Sequence, residues 1–205
     1  MFKFSSNEIR DITISFFVIS FAFAIVHSGR DFSAIPNILP GVMIGVGLGF
    51  ILHEVAHKLT AMRYGYWAEY KTWTPGLFIA LISSFFGFIF AAPGAVYIYG
   101  EYMTDKENGI ISLFGPLTNI LLAMIFLILT IVTITSPIME VIRVPWVLDV
   151  FVLGFSINSF LALFNLIPFS ILDGAKIFRW NPLIWLAIAA LAGIMVFISF
   201  NGISL

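Results

Sequence analysis

The 205-residue chain contains no cysteine, and only 10% of its residues are charged. Without cysteine it has no disulfide, no cysteine zinc ligand, no iron–sulfur cluster and no cysteine nucleophile. Soluble proteins carry about 25% charged residues, so this chain lacks the polar surface that would cover a water-facing protein of its size. Lys and Arg (10) nearly balance Asp and Glu (11), which gives no electrostatic reason to expect a nucleic acid as partner. An ordinary soluble domain is therefore excluded.

Hydrophobic side chains are what the sequence has in abundance: they make up 60% of the residues, and the mean hydropathy is +1.06. A membrane-spanning helix needs about 20 largely apolar residues. Runs of roughly that length predict an all-α polytopic membrane protein with five to six transmembrane helices, a lipid bilayer as its surroundings and a single domain over residues 1–205. The runs are Ile12–His27, Ile38–Tyr64, Gly76–Phe90, Ile110–Thr135, Pro145–Ile167 and Pro182–Phe200.

The third run, Gly76–Phe90, is shorter than a membrane span requires. As a straight helix it would measure about 22 Å at 1.5 Å per residue, against a hydrocarbon core of about 30 Å. Pro75 and Pro93 flank it, so a re-entrant hairpin between the second and third crossings is the alternative to a span. The alternating residues that follow, Val96–Tyr99, predict a short strand.

The residues that can carry chemistry are concentrated in His53-Glu54-Val55-Ala56-His57, inside the second run. Two His four residues apart lie on one face of a helix and can bind one metal ion together. Neutral imidazoles suit zinc, and the carboxylate of Glu54, next to a ligand, can take a proton from metal-bound water. Ionisable residues inside a membrane are costly and usually functional. The motif predicts a zinc site with His53 and His57 as ligands and Glu54 as general base.

A third zinc ligand has to be His27 or a carboxylate, because cysteine is absent. Asp173 is the outstanding candidate, since it follows Pro168, which breaks a helix and pushes Ile167 toward an extended conformation. Unwound backbone at membrane depth is tolerated only where it lines a protein cavity. The segment that ends at Asp173 is interpreted as the wall of a site, and a plain helix end followed by the turn residue Gly174 is the alternative.

Three motifs, taken together, resemble those of the site-2 protease family of intramembrane zinc metalloproteases. They are His53 to His57 on an early helix, Gly115-Pro116-Leu117-Thr118-Asn119 on a middle one, and Asn165 through Pro168 to Asp173-Gly174 later in the chain. The matching core spans roughly residues 40–176.

The resemblance implies a role for each matching residue. His53, His57 and Asp173 would bind Zn²⁺, Glu54 would activate water, and Asn165 would help to hold the substrate carbonyl or its oxyanion. Asn119 is interpreted as a polar neighbour that supports the metal ligands, and helix packing is the alternative reading of this amide.

A shared metal ion constrains the topology independently of the resemblance. The His pair lies toward the C-terminal end of its run, and Asp173 lies just past the C-terminal end of Pro145–Ile167, so the two helices must run in the same direction. An odd number of crossings must then separate them. The re-entrant reading of Gly76–Phe90 meets this requirement, because only Ile110–Thr135 then crosses between them.

The positive charges favour the same topology. With five crossings and the N-terminus inside, eight of the ten Lys and Arg residues lie on the inner side, and only Arg30 and Arg143 lie on the outer side. Six crossings would distribute them six to four. The positive-inside rule prefers the first arrangement, so we expect an integral protein of the cell membrane whose metal lies nearer the cytoplasmic face.

These observations predict a zinc-dependent intramembrane endopeptidase that cleaves transmembrane segments of membrane-protein substrates. Two other functions remain open: a polytopic ion or metal transporter that uses the intramembrane His, Glu and Asp, and an inactive protease relative that binds membrane helices. Metal flux across sealed vesicles would favour the first, and bound zinc without proteolysis the second.

Cleavage of a helical substrate requires that its scissile segment be held unwound. An exposed strand edge at Val96–Tyr99, reached through Pro93-Gly94, could pair with the substrate backbone by β-addition. Gly94, Val96 and Ile98 are therefore predicted to bind substrate. The alternative is an interfacial loop with a tyrosine belt.

Overall fold

The computed structural model describes residues 3–90, 92–100, 102–135, 145–169 and 171–201. Arg143, which the charge argument assigns to the outer side, lies outside these ranges. In chain order the elements are α1 (Ser6–His27), α2 (Ile35–Val46), a π-helical segment (Gly47–Ile51), α3 (Leu52–Arg63), β1 (Trp67–Thr72), α4 (Thr74–Ser84), β2 (Gly94–Tyr99), α5 (Asp105–Thr135), α6 (Pro145–Asn165), α7 (Asp173–Trp180) and α8 (Pro182–Asn201).

Five helical runs in the described part of the chain are long and apolar enough to cross a membrane. This confirms the predicted fold class, an all-α polytopic membrane protein, with the lower of the two helix numbers. The first helix begins at Ser6 because Ser5 and Glu8 form a capping box, each side chain bonded to the other residue's backbone N–H. The five runs are Ser6–His27, Ile35–Arg63, Asp105–Thr135, Trp146–Asn165 and Pro182–Asn201.

The second run is helical throughout, and it consists of α2, the π-helical segment Gly47–Ile51 and α3. This segment ends two residues before His53. π-Helical turns are rare, occur mostly as single bulges inside α-helices and are frequent at functional sites. Here the bulge sets the rotation of α3, and therefore the direction in which the imidazoles point, relative to α2.

The third apolar run contains only the 11-residue helix α4, followed by a turn. Both ends of this region lie together, because β1 and β2 pair antiparallel on either side of it and Trp73 N–H donates to the Pro93 carbonyl at 2.8 Å. The chain between Trp73 and Pro93 therefore leaves the sheet and returns to it.

Strand β1 is an element that the sequence analysis does not predict, and β2 extends from Gly94 rather than Val96. Helix α1 supplies the acidic groups that satisfy the outer edge of β1. Glu8 Oε1 accepts from Tyr70 N–H at 3.1 Å, and Asp11 Oδ2 accepts from Thr72 N–H at 3.2 Å. The hairpin is thus stabilised from one side by side chains of a distant helix.

These two bonds show in which direction the backbone N–H groups of each strand residue point. Since the N–H groups of Tyr70 and Thr72 point toward α1, those of the odd-numbered residues of β1 point toward β2, as that of Trp73 also does. In the observed register, Gly94, Val96 and Ile98 pair with the even-numbered residues. Their backbone polar groups therefore point away from β1, toward the free edge of β2. 

A buried ion pair ties the hairpin to the motif helix. The ammonium group of Lys58, the residue after His57, pairs with Glu8, and both residues are about 1% exposed. The same carboxylate accepts from the backbone of β1. Removing one partner of such a pair costs about 3–5 kcal/mol of stability, so α1, α3 and β1 are held in a fixed arrangement.

Helix α5 lies at the centre of the bundle and packs against α3, α6 and α7. Helix α6 packs against both α2 and α5, while α8 packs mainly against α6 and α7 and exposes most of its apolar surface. The end of α3 and the start of α7 therefore both lie against α5, which brings the motif helix and Asp173 together.

Candidate metal centre

His53, His57 and Asp173 meet in one buried cluster, and each residue is 5–7% exposed. The imidazoles come from one face of α3, and Asp173 is the first residue of α7. His57 Nε2 lies 2.9 Å from His53 Nε2 and 3.0 Å from Asp173 Oδ2, and His53 Nε2 lies 3.3 Å from the same oxygen. Within the described ranges, this is the group of His, Asp and Glu side chains close enough to hold a metal ion.

The separations between the three atoms fit zinc. Zinc binds His nitrogen and carboxylate oxygen at about 2.0–2.2 Å in tetrahedral geometry, so its ligand atoms lie about 3.3–3.5 Å apart. The observed triangle, with edges of 2.9–3.3 Å, needs an expansion of only a few tenths of an ångström to reach these values. Two imidazoles and one carboxylate also form a typical ligand set of catalytic zinc, which leaves the fourth position for water or substrate.

The hydrogen bonds on the far side of each ring show that the ring nitrogens of the cluster present lone pairs. His57 Nδ1 lies 2.8 Å from the Ile111 carbonyl, which can only accept, so this nitrogen carries the proton. His53 Nδ1 lies 2.6 Å from Asn119 Oδ1, and the amide nitrogen of Asn119 donates to the Gly49 carbonyl at 3.1 Å. This bond orients the amide, so Asn119 Oδ1 is the acceptor and His53 Nδ1 the donor.

Two lone pairs and a carboxylate oxygen at these distances repel one another unless a cation lies among them. That positive charge can come from a metal ion or from a proton on one of the two rings. Lys176 Nζ also lies 3.4 Å from the outer oxygen of Asp173. Burial alone would raise the pKa of Asp173, but a proton carried by the facing His57 ring, together with Lys176, holds this pKa well below its usual range. The carboxylate is therefore available as an anionic ligand.

Two glycines make the close approach of these elements possible. A methyl group at Gly115 on α5 would collide with the His57 ring, and one at Gly174 on α7 would collide with the carbonyl of Leu166 at the end of α6. Gly115 thus gives the imidazoles their space, and Gly174 allows Asp173 to reach them. From the sequence, Gly115 is known only as the first residue of the motif that ends at Asn119, because nothing local indicates which side chain it faces.

Glu54 lies beside the cluster and is 7% exposed. Its Oε2 is buried without a hydrogen-bond partner in the described structure. Buried polar atoms are nearly always satisfied, so an orphaned carboxylate oxygen next to a metal site indicates a group that acts on a water or a substrate. Glu54, the three candidate metal ligands and Asn165 line one cavity of about 290 Å³.

The remaining predicted site residues also lie around this cavity. Gly94, Val96 and Ile98 form part of its wall, and Asn119 lies behind His53. Asn165, the last residue of α6, donates its side-chain N–H to the Leu161 carbonyl of its own helix at 3.0 Å. A methyl group at Gly94 would meet the Lys71 carbonyl and the Tyr70 hydroxyl, so the missing side chain there serves the packing of the hairpin.

His27, which the sequence analysis weighs as a third ligand, lies elsewhere. It lines a separate cavity with Ser156 and Ser199 and stacks on Phe23. The residues that sequence reasoning misses are Asn158, whose carboxamide bonds to Asn119, and Lys176, which faces Asp173. A buried amide on α6 could have been suspected from its cost inside an apolar helix, but its partners could not.

The comparisons with known proteins agree with a zinc site. The chain is 42% identical over 202 residues, 98% of each chain, to a protein of Methanocaldococcus jannaschii named "Putative zinc metalloprotease MJ0611". It is 35% identical over 103 residues to a protein of Mycolicibacterium smegmatis named "Putative zinc metalloprotease Rip2", which covers 43% of this chain and 39% of that relative. No family model and no solved structure matches the chain. The full-length similarity shows that the chain belongs to the zinc metalloprotease family described by these names.

Proposed function

We propose that the protein is a zinc-dependent intramembrane endopeptidase of the site-2 protease type, which cleaves transmembrane segments of membrane-protein substrates. One observation carries the proposal: the His53, His57 and Asp173 ligand set, with the unpartnered Glu54 beside it, lies buried in a bundle of helices long enough to cross a membrane. Ionisable groups in such a place are expensive and mark function.

The residues of the cavity divide the chemistry of peptide hydrolysis among them. Zinc held by the two imidazoles and Asp173 would polarise the scissile carbonyl and acidify water. Glu54 takes the proton of that water and delivers it to the leaving amine, since its free carboxylate oxygen faces the same cavity. Asn165 donates to the oxygen of the tetrahedral intermediate through the second N–H of its amide, since only one N–H is needed for its bond to the Leu161 carbonyl.

Substitutions separate the metal ligands from the proton carrier. Glu54→Gln should keep near-stoichiometric zinc and lose cleavage of a labelled transmembrane substrate by at least about a hundredfold, because the amide cannot accept a proton. His53→Ala and Asp173→Ala should lose both zinc and cleavage. The measurements are metal content of the purified protein and cleavage after reconstitution, with and without a chelator. Cleavage at the parental rate by Glu54→Gln would show that the mechanism is wrong.

Strand β2 offers the backbone groups that could hold a substrate extended. The cavity wall includes the consecutive residues Gly94 to Ile98 and, within the described structure, no residue of β1. The backbone groups of Gly94, Val96 and Ile98 point away from β1, and α1 covers the opposite edge of the hairpin. A substrate segment would therefore add to the sheet at β2, beside the metal.

Proline substitutions test this edge, because proline cannot donate a hydrogen bond to a neighbouring strand. Val96→Pro and Ile98→Pro should each slow cleavage about tenfold, the effect of roughly one lost hydrogen bond, with unchanged zinc content. Val96→Thr, which keeps its N–H, is the matched control. Tyr97→Pro removes a donor that faces β1, so it should instead lower the thermal stability. Parental cleavage rates in both edge variants would refute β-addition.

The sidedness of the site is part of the proposal: we place the protein in the cell membrane with the metal nearer the cytoplasmic face. The supports are the adjacent ends of the α4 region at Trp73 and Pro93 and the unequal distribution of Lys and Arg. A region that returns on its own side leaves five crossings, which puts β1, β2 and the start of α5 on the side of the N-terminus.

Cysteine labelling can determine this topology, since the chain has no native cysteine. The single variants Lys3→Cys, Lys71→Cys and Lys106→Cys should react from the same side of sealed vesicles, and Arg30→Cys from the other. All four side chains are exposed. Labelling of Lys71→Cys and Lys106→Cys from opposite sides would mean that the α4 region crosses the membrane, and the five-crossing topology would be wrong.

A further inference from the structure

We infer that Asn158 on α6 is a positioning residue for the metal site: it acts through Asn119 and holds His53 in the orientation that binds zinc through Nε2. We call the chain of hydrogen bonds from Asn158 through Asn119 to His53 the relay. Both amides of the relay donate to backbone carbonyls in or just before the π-helical segment, and these bonds hold the amides in place. The inference rests on the proposed role of His53 as a zinc ligand, and it adds a residue that neither the metal cluster nor the motif contains.

The π-helical segment leaves backbone acceptors for side chains. A carbonyl oxygen has two lone pairs, so it can accept from a side chain as well as from the backbone, as the Gly49 carbonyl does with the Leu52 N–H. Asn119 Nδ2 donates to the Gly49 carbonyl at 3.1 Å, and Asn158 Nδ2 donates to the Gly45 carbonyl at 3.3 Å. Two amides from two different helices therefore satisfy the bulge that precedes His53.

Each amide in the relay has only one possible orientation. Asn158 Nδ2 also lies 2.8 Å from the Gly154 carbonyl, so its nitrogen faces two acceptors and its oxygen must face Asn119. Asn119 Nδ2 lies 3.1 Å from that oxygen and donates to it as well as to the Gly49 carbonyl. Both of its protons are used, and its oxygen is left to accept from His53 Nδ1.

Burial makes the relay rigid. Asn119 and Asn158 are both 0% exposed, so a rotated amide has no water to bond with. Rotation of Asn119 would turn its oxygen toward the Gly49 carbonyl and Asn158 Oδ1, and rotation of Asn158 would turn its oxygen toward the carbonyls of Gly45 and Gly154. The proton on His53 therefore stays on Nδ1, and the lone pair of Nε2 stays directed at the cluster.

Gly49 is part of the same arrangement. A methyl group at this position would lie 2.7 Å from Asn158 Oδ1, closer than real side chains permit. Gly47, in the same π-helical segment, would place a methyl group 3.2 Å from the ring of Phe16, which does not belong to the relay. Alanine at Gly49 would therefore push against Asn158, whereas alanine at Gly47 would push against Phe16, so the second substitution is a control for the first.

The test measures zinc affinity of the purified full-length protein by chelator competition. Asn158→Leu and Gly49→Ala should each weaken zinc binding by about tenfold, the lower end of what outer partners of metal-bound His contribute. The controls Gly47→Ala and Ser159→Ala should bind zinc as the parent does. Ser159 is the neighbour of Asn158, and its buried hydroxyl has no hydrogen-bond partner in the described structure.

A second readout distinguishes positioning from general destabilisation. The readout is the rate at which the His53 Nδ1 proton exchanges with solvent, measured in ¹⁵N spectra of the zinc-bound protein, which has only three histidines to assign. This proton should exchange faster in Asn158→Leu than in the parent. Asn158→Asp should restore slow exchange and most of the affinity, because a protonated carboxyl still accepts from Asn119 and donates to a carbonyl.

Three results would overturn the inference: parental zinc affinity in Asn158→Leu, equal effects of Gly47→Ala and Gly49→Ala, or no rescue by Asn158→Asp in a folded protein. His53→Ala separates this inference from the proposed metal site. If that variant keeps zinc, the ligand assignment itself is wrong. If it loses zinc while Asn158→Leu does not, only the relay is wrong.

Discussion

The convergence of two imidazole lone pairs and one carboxylate oxygen, 2.9–3.3 Å apart, is the interaction on which the rest of the structure depends. Such a group is stable in a buried place only around a cation. Its assembly requires that α3 and the start of α7 both pack against α5 and that α5 carry glycine where the imidazoles pass. Gly115 and Gly174 meet the steric part of this requirement.

The same rule, that buried polar groups must satisfy one another, shapes the surroundings of the site. Glu8 neutralises Lys58 and accepts from the backbone of β1, and Asp11 accepts from the next available N–H of that strand. One edge of the hairpin is thereby closed by helix α1. The other edge, on β2, lies along the cavity, and it is the edge that we propose for the substrate.

Much of this fold follows from the sequence, because hydrophobic run length is a direct measure of membrane helices. Five to six spans were predicted in this way, and five lie in the described residues. The zinc cofactor was predicted from the His53 to His57 motif, and the return of the α4 region on its own side, which follows from the parity of the crossings, stays a prediction. The pairing of His53 with His57 needed only the helical period. Asp173 required an additional argument from Pro168, since 116 residues separate it from His57.

What the sequence could not provide depends on contacts between distant elements. Strand β1 has no strong alternation of its own and is stabilised by acids of α1 more than 50 residues away. The π-helical segment has no local signature beyond its glycines, and its stabilising amides lie on α5 and α6. Such features arise only when the helices are packed.

Zinc K-edge X-ray absorption on the purified protein tests the central claim, that His53, His57 and Asp173 hold the metal, most directly. The account predicts about four nitrogen or oxygen ligands at roughly 2.0–2.1 Å with the outer-shell scattering of two imidazoles. His53→Gln should reduce that scattering to one imidazole in whatever zinc it still binds, and Asp173→Asn should retain two. A parental spectrum with one imidazole or none, or with six ligands at longer distances, would contradict the assignment.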